Sequence, residues 1–384
     1  MYSLEKKYAL FCELVIKIIT AIAEAKNQPL MQSITSSSYA VHFNQRAYDA
    51  LNTHLSEKTY SKIFILVDEN THTHCLPNFL AQVRGDYDFE IIEIESGEEN
   101  KNIETCTGVW NALSELDGDR KSLVINLGGG VLTDLGGFVA STFKRGIDFI
   151  NVPTTLLSMV DASVGGKTGV DLGPLKNQIG VINQPQMVLI ITSFLQTLEE
   201  RQLRSGFAEM LKHGLIQNKA YWEALKKVQD FIHIDDLIYD SVVIKNEVVL
   251  QDPTEQNLRK ILNYGHTLGH AIESYFLESK THKTLLHGEA IGIGMILEAY
   301  LSKELLGLPE EELKDIKSTF LSYYDKVVFS KENITTILSL LKFDKKNSHG
   351  NINFVLLSAI GTPEIDITIP DELYEGAFAY YADH

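Results

Sequence analysis

Apolar positions follow two different spacings along the chain, and the spacing changes near residue 190. Before that point, short apolar runs rich in β-branched residues alternate with stretches of helical spacing. The runs predict buried strands at 62–68, 89–94, 122–127, 148–153 and 187–192. Between the second and third runs, Ile103, Val109, Leu113 and Leu116 recur on one helical face. Alternating strands and helices are typical of βαβ units with a mainly parallel sheet.

Beyond about residue 197, long helical patterns dominate as far as residue 340, and one late strand is predicted at 352–357. We therefore predict an N-terminal extension over 1–33, an α/β domain over 34–190 and a mostly α-helical domain over 191–384. A length of 384 residues is enough for two domains, each with its own hydrophobic core.

Composition and charge narrow the possible partners. Apolar residues make up 44% and charged residues 22% of the chain, which is typical of a globular protein. The 51 acidic against 34 basic side chains give a net charge of −17, which disfavours nucleic acid and anionic membranes as partners. The 3 cysteines are scattered, without a CxxC pair. They fit a reducing compartment, so we expect a cytoplasmic location.

The first 30 residues contain the apolar stretch LVIKIITAIA, which resembles the core of a signal peptide. Glu5, Glu13 and Lys17 interrupt this region, and the following AEAKNQPL is a poor cleavage site. We therefore expect an extra amphipathic helix, or a translation start at Met31, rather than export. No apolar run approaches the roughly 18–20 residues of a membrane span.

Three consecutive glycines, Gly128–Gly130, follow the predicted strand at 122–127 and precede a helical stretch that contains Asp134. Glycine lets backbone N–H groups approach an anion closely, and the N-terminus of the next helix adds a favourable dipole. The sequence is not GxGxxG, so the usual dinucleotide fingerprint does not apply. A purely structural turn is the alternative.

Polar residues follow two other predicted strands. Asp68 and Asn70 come after the first strand, and Glu98 and Lys101 come after the second. Ligands of open α/β sheets bind at this carboxyl edge, where Asp68 could hold a ribose hydroxyl. Aspartate at a strand end is also a common turn former. Three loops that converge on one edge favour a nucleotide site.

The segment 259–276 carries the clearest candidate metal chemistry. Its spacing predicts one continuous helix, with an apolar face that includes Ile261, Leu268 and Ile272. The opposite face carries Arg259, Asn263, His266 and His270. A solvated face usually carries Glu and Lys instead, so this face favours a binding site.

A carboxylate and a third imidazole complete the candidate metal site. His287 begins another apolar helix, and Glu209 lies on a helix one turn before Lys212 and His213. A carboxylate with two imidazoles suits Zn²⁺ or a similar divalent ion that acts as a Lewis acid. Glu209 in an ordinary helix ion pair is the alternative. The spacing leaves open which two of the histidines bind the ion.

Several basic residues lie near these candidates within an acidic chain. They are Arg145, Lys167, Lys176 with Asn177, Lys212, Lys245 and Arg259. Taken singly, they would be surface counter-charges. Beside the glycine turn and the histidine segment, they could bind a substrate with phosphate and carboxylate groups. Lys167 and Lys176 lie in a glycine-rich segment that we expect to be flexible.

Six motifs in a fixed order resemble the 3-dehydroquinate synthase family, from about residue 60 to 357. They are GGGVLTDLGGFVAS, RGIDFINVPTTLLSMVDASVGGKTGVD, KNQIG, GFAEMLKHG, RKILNYGHTLGHAIE and LLHGEA. Several long motifs in this order are specific, whereas any one alone is not. The chain departs from the family pattern in its first 30 residues, in a longer segment before His287, and in FAEMLKH where LAEVIKY is more usual.

The resemblance implies a Rossmann-like N-terminal domain, a helical metal-binding domain and an active site in the cleft between them. It implies that Glu209, His266 and His287 bind Zn²⁺, or Co²⁺ or another divalent metal. The residues implied to hold NAD are Asp68, Asn70, Glu98, Lys101, Gly129, Gly130, Val131, Leu132, Thr133, Asp134, Thr154, Thr155, Lys167, Lys176, Phe194, Leu195, Gln196 and Thr197.

The family reaction converts 3-deoxy-D-arabino-heptulosonate 7-phosphate to 3-dehydroquinate and phosphate, in the shikimate pathway. It proceeds by transient oxidation with NAD, loss of phosphate, re-reduction and aldol closure. The residues implied to line the substrate site are Asp161, Lys167, Asn177, Lys212, Lys245, Arg259, Asn263 and His270. Among them, His270 is our hypothesised proton-handling group and Lys212 our oxyanion-supporting group.

Two further contacts are implied at the edge of the substrate site. Arg145 would reach the substrate phosphate, either within its own subunit or from the neighbouring subunit of the homodimer that the resemblance implies. Either Lys345 or Lys346 would add one more substrate contact.

Three other functions fit parts of these patterns. Another sugar phosphate cyclase would share the fold but differ in the pocket for the substrate carboxylate, where Arg259 and Asn263 favour the dehydroquinate type. A polyol or glycerol-phosphate dehydrogenase of related architecture is disfavoured by the lysines of GGKTG and KN. A non-catalytic relative would be expected to lack candidate ligands, and this sequence retains Glu209, His266 and His287.

Overall fold

The computed structural model describes residues 31–173, 175–279, 282–341 and 352–383. The chain from Ser33 onwards forms one compact unit. Our predictions for residues 1–30, and for Lys345 and Lys346, fall outside the described residues.

Strands make up one large sheet and two hairpins. Their bounds are β1 Ile34–Thr35, β2 Ala40–Phe43, β3 Ile63–Asp68, β4 Phe89–Ile94, β5 Leu123–Gly128, β6 Asp148–Pro153, β7 Lys167–Leu172, β8 Leu175–Ile182, β9 Val188–Ile190, β10 Phe354–Ala359 and β11 Thr362–Ile367. The six predicted strands are confirmed to within one or two residues at most ends. The large sheet has the order β1-β2-β9-β6-β5-β3-β4, and all its pairs are parallel except β1 with β2.

Helices cover the sheet and build most of the second half of the chain. Their bounds are α1 Gln45–Glu57, α2 Glu69–His74, α3 Leu76–Leu80, α4 Ile103–Glu115, α5 Gly130–Thr142, α6 Glu200–Gln217, α7 Lys219–Leu225, α8 Asp235–Gln251, α9 His266–Glu278, α10 His287–Leu306, α11 Glu310–Tyr323, α12 Lys331–Leu340 and α13 Glu372–Ala382. A mainly parallel sheet followed by a mostly helical half confirms the predicted fold class. The division at residue 190 into separate domains stays a prediction. Among the described residues, none of the helices is both long enough and apolar enough to cross a membrane.

The core of the sheet half explains why the predicted strands form. Every residue of β5 is buried, and β3 is buried up to its last residue. Phe64 and Val124 pack against Val109 of α4 and Leu135 of α5 within one apolar cluster. Strands buried on both faces read as continuous apolar runs, which is the pattern seen in the sequence.

The strand order creates a crevice at one edge of the sheet. In the chain β4 follows β3, but in the sheet β3 lies between β4 and β5. The connections after β3 and β5 therefore leave in different directions, and such a switch point is where parallel sheets bind ligands. Asp68 ends β3 and Gly128 ends β5, so both candidates lie at this crevice.

The glycine-rich segment after residue 164 forms a hairpin, which our sequence analysis did not predict. β7 and β8 pair antiparallel, with Gly169 opposite Gly180. A Cβ on Gly169 would lie 2.5 Å from the carbonyl oxygen of Ile179, so only glycine allows this approach. The glycines interrupt the alternation that would otherwise indicate a strand.

The segment 259–276 is two elements, so our prediction of one continuous helix was wrong. Residues Leu258–Asn263 form a 3₁₀ helix, and α9 begins only at His266. Gly265 separates them in the left-handed conformation, with φ of 79°. Its N–H donates to the buried carboxylate of Glu298 at 2.6 Å, which fixes the break.

Candidate active site

One cavity of about 910 Å³ joins the sheet edge to the helical half. Its walls come from the ends of β3 and β5, the hairpin β7–β8, and helices α6 and α9. The predicted residues that line it are Asp68, Asn70, Glu98, Lys101, Gly129, Gly130, Val131, Leu132, Asp134, Thr154, Thr155, Asp161, Lys167, Lys176, Asn177, Phe194, Thr197, Lys212, Lys245, Arg259, Asn263, His266, His270 and His287. The structure therefore brings most of the predicted site together.

Two imidazoles that line this cavity converge on one buried carboxylate. The Nε2 atoms of His266 and His287 each lie 3.4 Å from Oε1 of Glu209. Glu209 is fully buried on α6, and no hydrogen bond from the described residues reaches its Oε1. His266 is the first residue of α9 and His287 is the first residue of α10. The N-termini of these two helices therefore meet the middle of α6, where Glu209 lies.

The other ring nitrogens fix how the two histidines point. Nδ1 of His266 lies 3.0 Å from the carbonyl oxygen of Tyr264, which can only accept a hydrogen bond. Nδ1 of His287 lies 3.1 Å from Oε2 of Glu273. Both Nδ1 atoms are therefore donors, and each Nε2 atom, when it carries no proton, can offer a lone pair to a metal ion beside Glu209.

This arrangement fits a divalent metal. Ligand atoms about 2.05 Å from a tetrahedral Zn²⁺ are separated by about 3.4 Å, the spacing from Glu209 to each imidazole. A buried carboxylate oxygen without a hydrogen-bond donor is costly, and a cation would remove that cost. The donor set of one carboxylate and two imidazoles suits zinc.

Two neighbouring groups of potential ligands fit a metal less well. They are His270 with Glu273 and His287, and Asp161 with Glu209 and His213. The first competes with the hydrogen bond between His287 and Glu273. In the second, the ammonium groups of Lys212 and Lys245 already neutralise the carboxylate of Asp161. Of the three groups found among the described residues, Glu209, His266 and His287 is the best candidate.

Burial and neighbouring charges set the protonation of this group. Burial raises the pKa of Glu209, but Lys212 and His266 outweigh it, so the pKa lies below its usual range. Burial and Lys212 lower the pKa of His266 to about 3, which keeps that ring neutral. Burial opposes the charge on His287, but Glu273 and Glu209 raise its pKa to about 10. Metal binding at this group would displace the His287 proton.

The glycine turn presents backbone donors to the other end of the cavity. α5 begins at Gly130, with Gly129 as its N-cap. The first N–H groups of a helix have no partner within it, so those of Gly130, Val131 and Leu132 are available to an anion. A Cβ on Gly129 would lie 3.0 Å from the side chain of Thr155, so glycine keeps this approach open.

Charged residues around the turn are paired with one another. Lys101 donates to Asp134 at 2.6 Å and to Asn177 at 2.7 Å. Lys176 donates to Glu98 at 2.7 Å, so the hairpin is tied to the loop after β4. Asp68 accepts from the backbone N–H of Thr71 at 2.7 Å and caps α2, so it is both a turn former and a cavity residue.

The substrate candidates form a second charged network. Asp161 lies in a π-helical turn, Ser158–Ala162, and accepts from Lys245 at 2.6 Å. Burial opposes its charge, but Lys245 and Lys212 lower the pKa of Asp161 well below its usual range. Arg259 is buried and donates to the carbonyl oxygen of Gly165 at 3.0 Å.

Five predicted residues in the described part of the chain do not line the cavity. One is Glu209, which is fully buried next to His266 and His287. Thr133 is buried behind the turn, where its hydroxyl lies 3.1 Å from that of Ser158, and Leu195 is also buried. Gln196 is exposed in the 3₁₀ helix Thr192–Thr197, before α6. Arg145 lies at a separate surface depression with Asp119, Arg120, Lys121 and Lys144.

Two of the carboxylates that line the cavity and that we did not predict contact predicted residues. Glu255 forms an ion pair with Lys167 and accepts from Asn263 at 3.0 Å. Glu273 bridges His287 and Lys176. The position of Glu273, two turns after His266 and one after His270, places all three on one face of α9. That spacing could have identified Glu273, whereas Glu255 lies in a loop with no such pattern.

Comparisons with known proteins identify the family of the chain. Residues 91–205 match the model of the 3-dehydroquinate synthase N-terminal family, and residues 206–347 match that of the 3-dehydroquinate synthase C-terminal family. The 3-dehydroquinate synthase of Parabacteroides distasonis is 39% identical over 337 residues, which span 87% of this chain and 95% of that protein. That of Clostridium botulinum is 40% identical over 342 residues, which span 86% and 95% respectively.

A solved structure shares the fold. It is 2-epi-5-epi-valiolone synthase from Streptomyces hygroscopicus with NAD⁺ and Zn²⁺ bound. Its TM-score is 0.76 at 26% identity, and the match covers 92% of this chain and 99% of that one. It is less similar in sequence to this chain than the two relatives above. With both family models and relatives of 39% and 40% identity spanning most of its length, the chain belongs to the 3-dehydroquinate synthase family.

Proposed function

We propose that the chain is a carbon–oxygen lyase that converts 3-deoxy-D-arabino-heptulosonate 7-phosphate to 3-dehydroquinate and phosphate, with NAD and a divalent metal. One observation carries the proposal. The imidazoles of His266 and His287 converge on Glu209 and line the same cavity as the Gly129–Gly130 turn. Membership of the family supports the choice of substrate.

Glu209, His266 and His287 would hold the metal, and zinc is the preferred ion. The bound metal would act as a Lewis acid that polarises oxygens of the substrate. Residues around the metal would set the charge of the site. Lys212 is fully buried and paired with Glu209, so it would place a positive charge beside any oxyanion formed near the metal.

NAD would lie along the crevice at the carboxyl edge of the sheet. The free N–H groups at the start of α5 would bind its pyrophosphate, and Asp68 and Asn70 would face the sugar end. When bound, NAD would supply a transient acceptor for hydride. Lys101 and Lys176 would hold the loops around it, since each bridges two chain segments.

The substrate would occupy the space between the nucleotide and the metal. Arg259 would bind its carboxylate, because the buried guanidinium lines the cavity and its Nε has no hydrogen-bond partner among the described residues. Lys167 and Lys245 would bind oxygens of the sugar or the phosphate. His270 would move a proton, since its ring lies 5.1 Å from that of His266, centroid to centroid.

The proposal is tested by phosphate release from the heptulosonate substrate. We expect turnover with catalytic NAD, loss of turnover after chelation and its return on addition of zinc. The same assay with a sugar phosphate that lacks the carboxylate separates this function from that of other sugar phosphate cyclases. Turnover of that second substrate alone, or net accumulation of NADH with simple alcohols, would contradict the proposal.

Arg145 would need a second subunit to reach a substrate in this cavity. It lies outside the cavity that holds the other candidates, in a turn where Lys144 and Arg145 both have positive φ, 46° and 75°. We propose that the protein is a homodimer in which Arg145 binds the phosphate in the partner's cavity.

Mixed dimers test this role of Arg145. Arg145→Ala removes the donated residue and His270→Ala disables the receiving cavity, so each homodimer has two defective sites. A mixed dimer would have one native site, and co-expression should restore phosphate release. Activity in the mixture that is no higher than the average of the two parent variants would contradict a contribution from the partner.

A cytoplasmic location remains a prediction from the sparse cysteines. Cys75 and Cys106 are both buried free thiols.

A further inference from the structure

Glu273 is a buried carboxylate with a position that the reaction scheme above does not use. It lies on α9 with a side-chain exposure of 9%. Its Oε2 is 3.1 Å from Nδ1 of His287, and its Oε1 is 3.7 Å from Nζ of Lys176. One side chain therefore contacts a candidate metal ligand and a candidate nucleotide residue.

The two contacts belong to different parts of the fold. His287 begins α10 in the helical half, and its other nitrogen, Nε2, faces Glu209. Lys176 lies on β8 of the hairpin and is also paired with Glu98 and Asp171. Glu273 is thus the link between the metal group and the ion pairs of the hairpin.

We propose that Glu273 is a positioning residue that orients His287 for the metal and holds Lys176 at the nucleotide side with the same carboxylate. This inference rests on the proposed metal site. A carboxylate on the second nitrogen of a metal-bound imidazole fixes the ring orientation and raises its basicity, and its loss typically weakens metal binding.

The structure separates the two halves of this role. Glu273→Ala removes both contacts. Glu273→Gln keeps an oxygen that can accept from Nδ1 of His287 but removes the charge that attracts Lys176. Asp171→Asn weakens the attraction on Lys176 and leaves His287 untouched. Glu278→Ala, at the exposed end of the same helix, is the matched control.

The first measurement is zinc affinity, by competition with a chromophoric chelator on the purified, folded chain. We expect Glu273→Ala to bind zinc about 10–100-fold more weakly than the parent, with Glu273→Gln in between. Asp171→Asn and Glu278→Ala should match the parent. Thermal melting followed by circular dichroism checks that each variant is folded. If Glu273→Ala does not fold, the zinc affinity of Glu273→Gln tests the proposal.

The second measurement is NADH binding by fluorescence titration at saturating zinc. We expect both Glu273 variants and Asp171→Asn to bind NADH about two- to fivefold more weakly, as for the loss of one weak ion pair. Glu278→Ala should match the parent.

The outcomes distinguish this inference from the proposed function. A parent chain that binds no zinc overturns both, because Glu273 then has no metal ligand to orient. A parent that binds zinc, with Glu273 variants of equal zinc affinity, overturns only the role of Glu273. Weaker zinc binding with unchanged NADH binding also overturns it, because a carboxylate that supports His287 alone would give that result.

Discussion

Replacing Glu209 with glutamine is expected to remove bound zinc and lower turnover by at least about 100-fold. The carboxylate is fully buried and faces both Nε2 atoms at 3.4 Å. Glutamine keeps the volume but not the negative charge, so the site would bind a divalent cation much more weakly. Removing one partner of a buried ion pair costs about 3–5 kcal/mol, and about 1.4 kcal/mol corresponds to a tenfold change in affinity.

Elemental analysis of the purified variant measures the first effect, and phosphate release measures the second. Glu200→Gln is the control, because Glu200 lies on the same helix α6 but is exposed and pairs with Arg204. Lys212 keeps Asp161 as a neighbour at 3.9 Å in the Glu209 variant, so the chain should still fold. Stoichiometric zinc in folded Glu209→Gln would reject Glu209 as a ligand.

His270→Ala is expected to retain zinc and lose most turnover, by about 10²–10⁴-fold, the usual contribution of a positioned proton-transfer group. The ring of His270 lies 5.1 Å from that of His266 and 5.9 Å from that of His287, so it borders the metal group. It lines the cavity and is only partly buried, which gives it access to a substrate.

A surface histidine provides the matched control for this variant. The side chain of His233 is 80% exposed and pairs with Asp230. His233→Ala should keep both zinc and turnover. Unaltered phosphate release in His270→Ala would reject its role in proton transfer, and loss of zinc would make it a ligand instead.

The strands and the composition of the site could be predicted because they depend on local sequence. Ile63–Asp68 and Leu123–Gly128 are continuous apolar runs because both faces of the sheet are buried. The turn at Gly128–Gly130 and the helix after it could also be predicted, because both depend on residues that are adjacent in the sequence. The ligand set came from the family resemblance, since spacing alone did not choose between the histidines.

The features that we missed or predicted wrongly are set by backbone conformation or by contacts between residues far apart in the sequence. Gly265 adopts a left-handed conformation, which a helical pattern of side chains does not reveal. Gly169 and Gly180 face each other across the hairpin, where no side-chain alternation can appear. Glu273 contacts Lys176, a residue far earlier in the sequence, and only the folded structure brings the two together.

The central claim is that metal, nucleotide and sugar share one cavity, with Glu209, His266 and His287 around the metal. Anomalous diffraction at the zinc absorption edge, from crystals grown with zinc and NAD, tests it most directly. We expect one zinc peak bonded to these three side chains, with NAD density in the same cavity beside the Gly129–Gly130 turn. A peak at His270 and Glu273, or at Asp161 and His213, or NAD bound outside this cavity, would contradict the account.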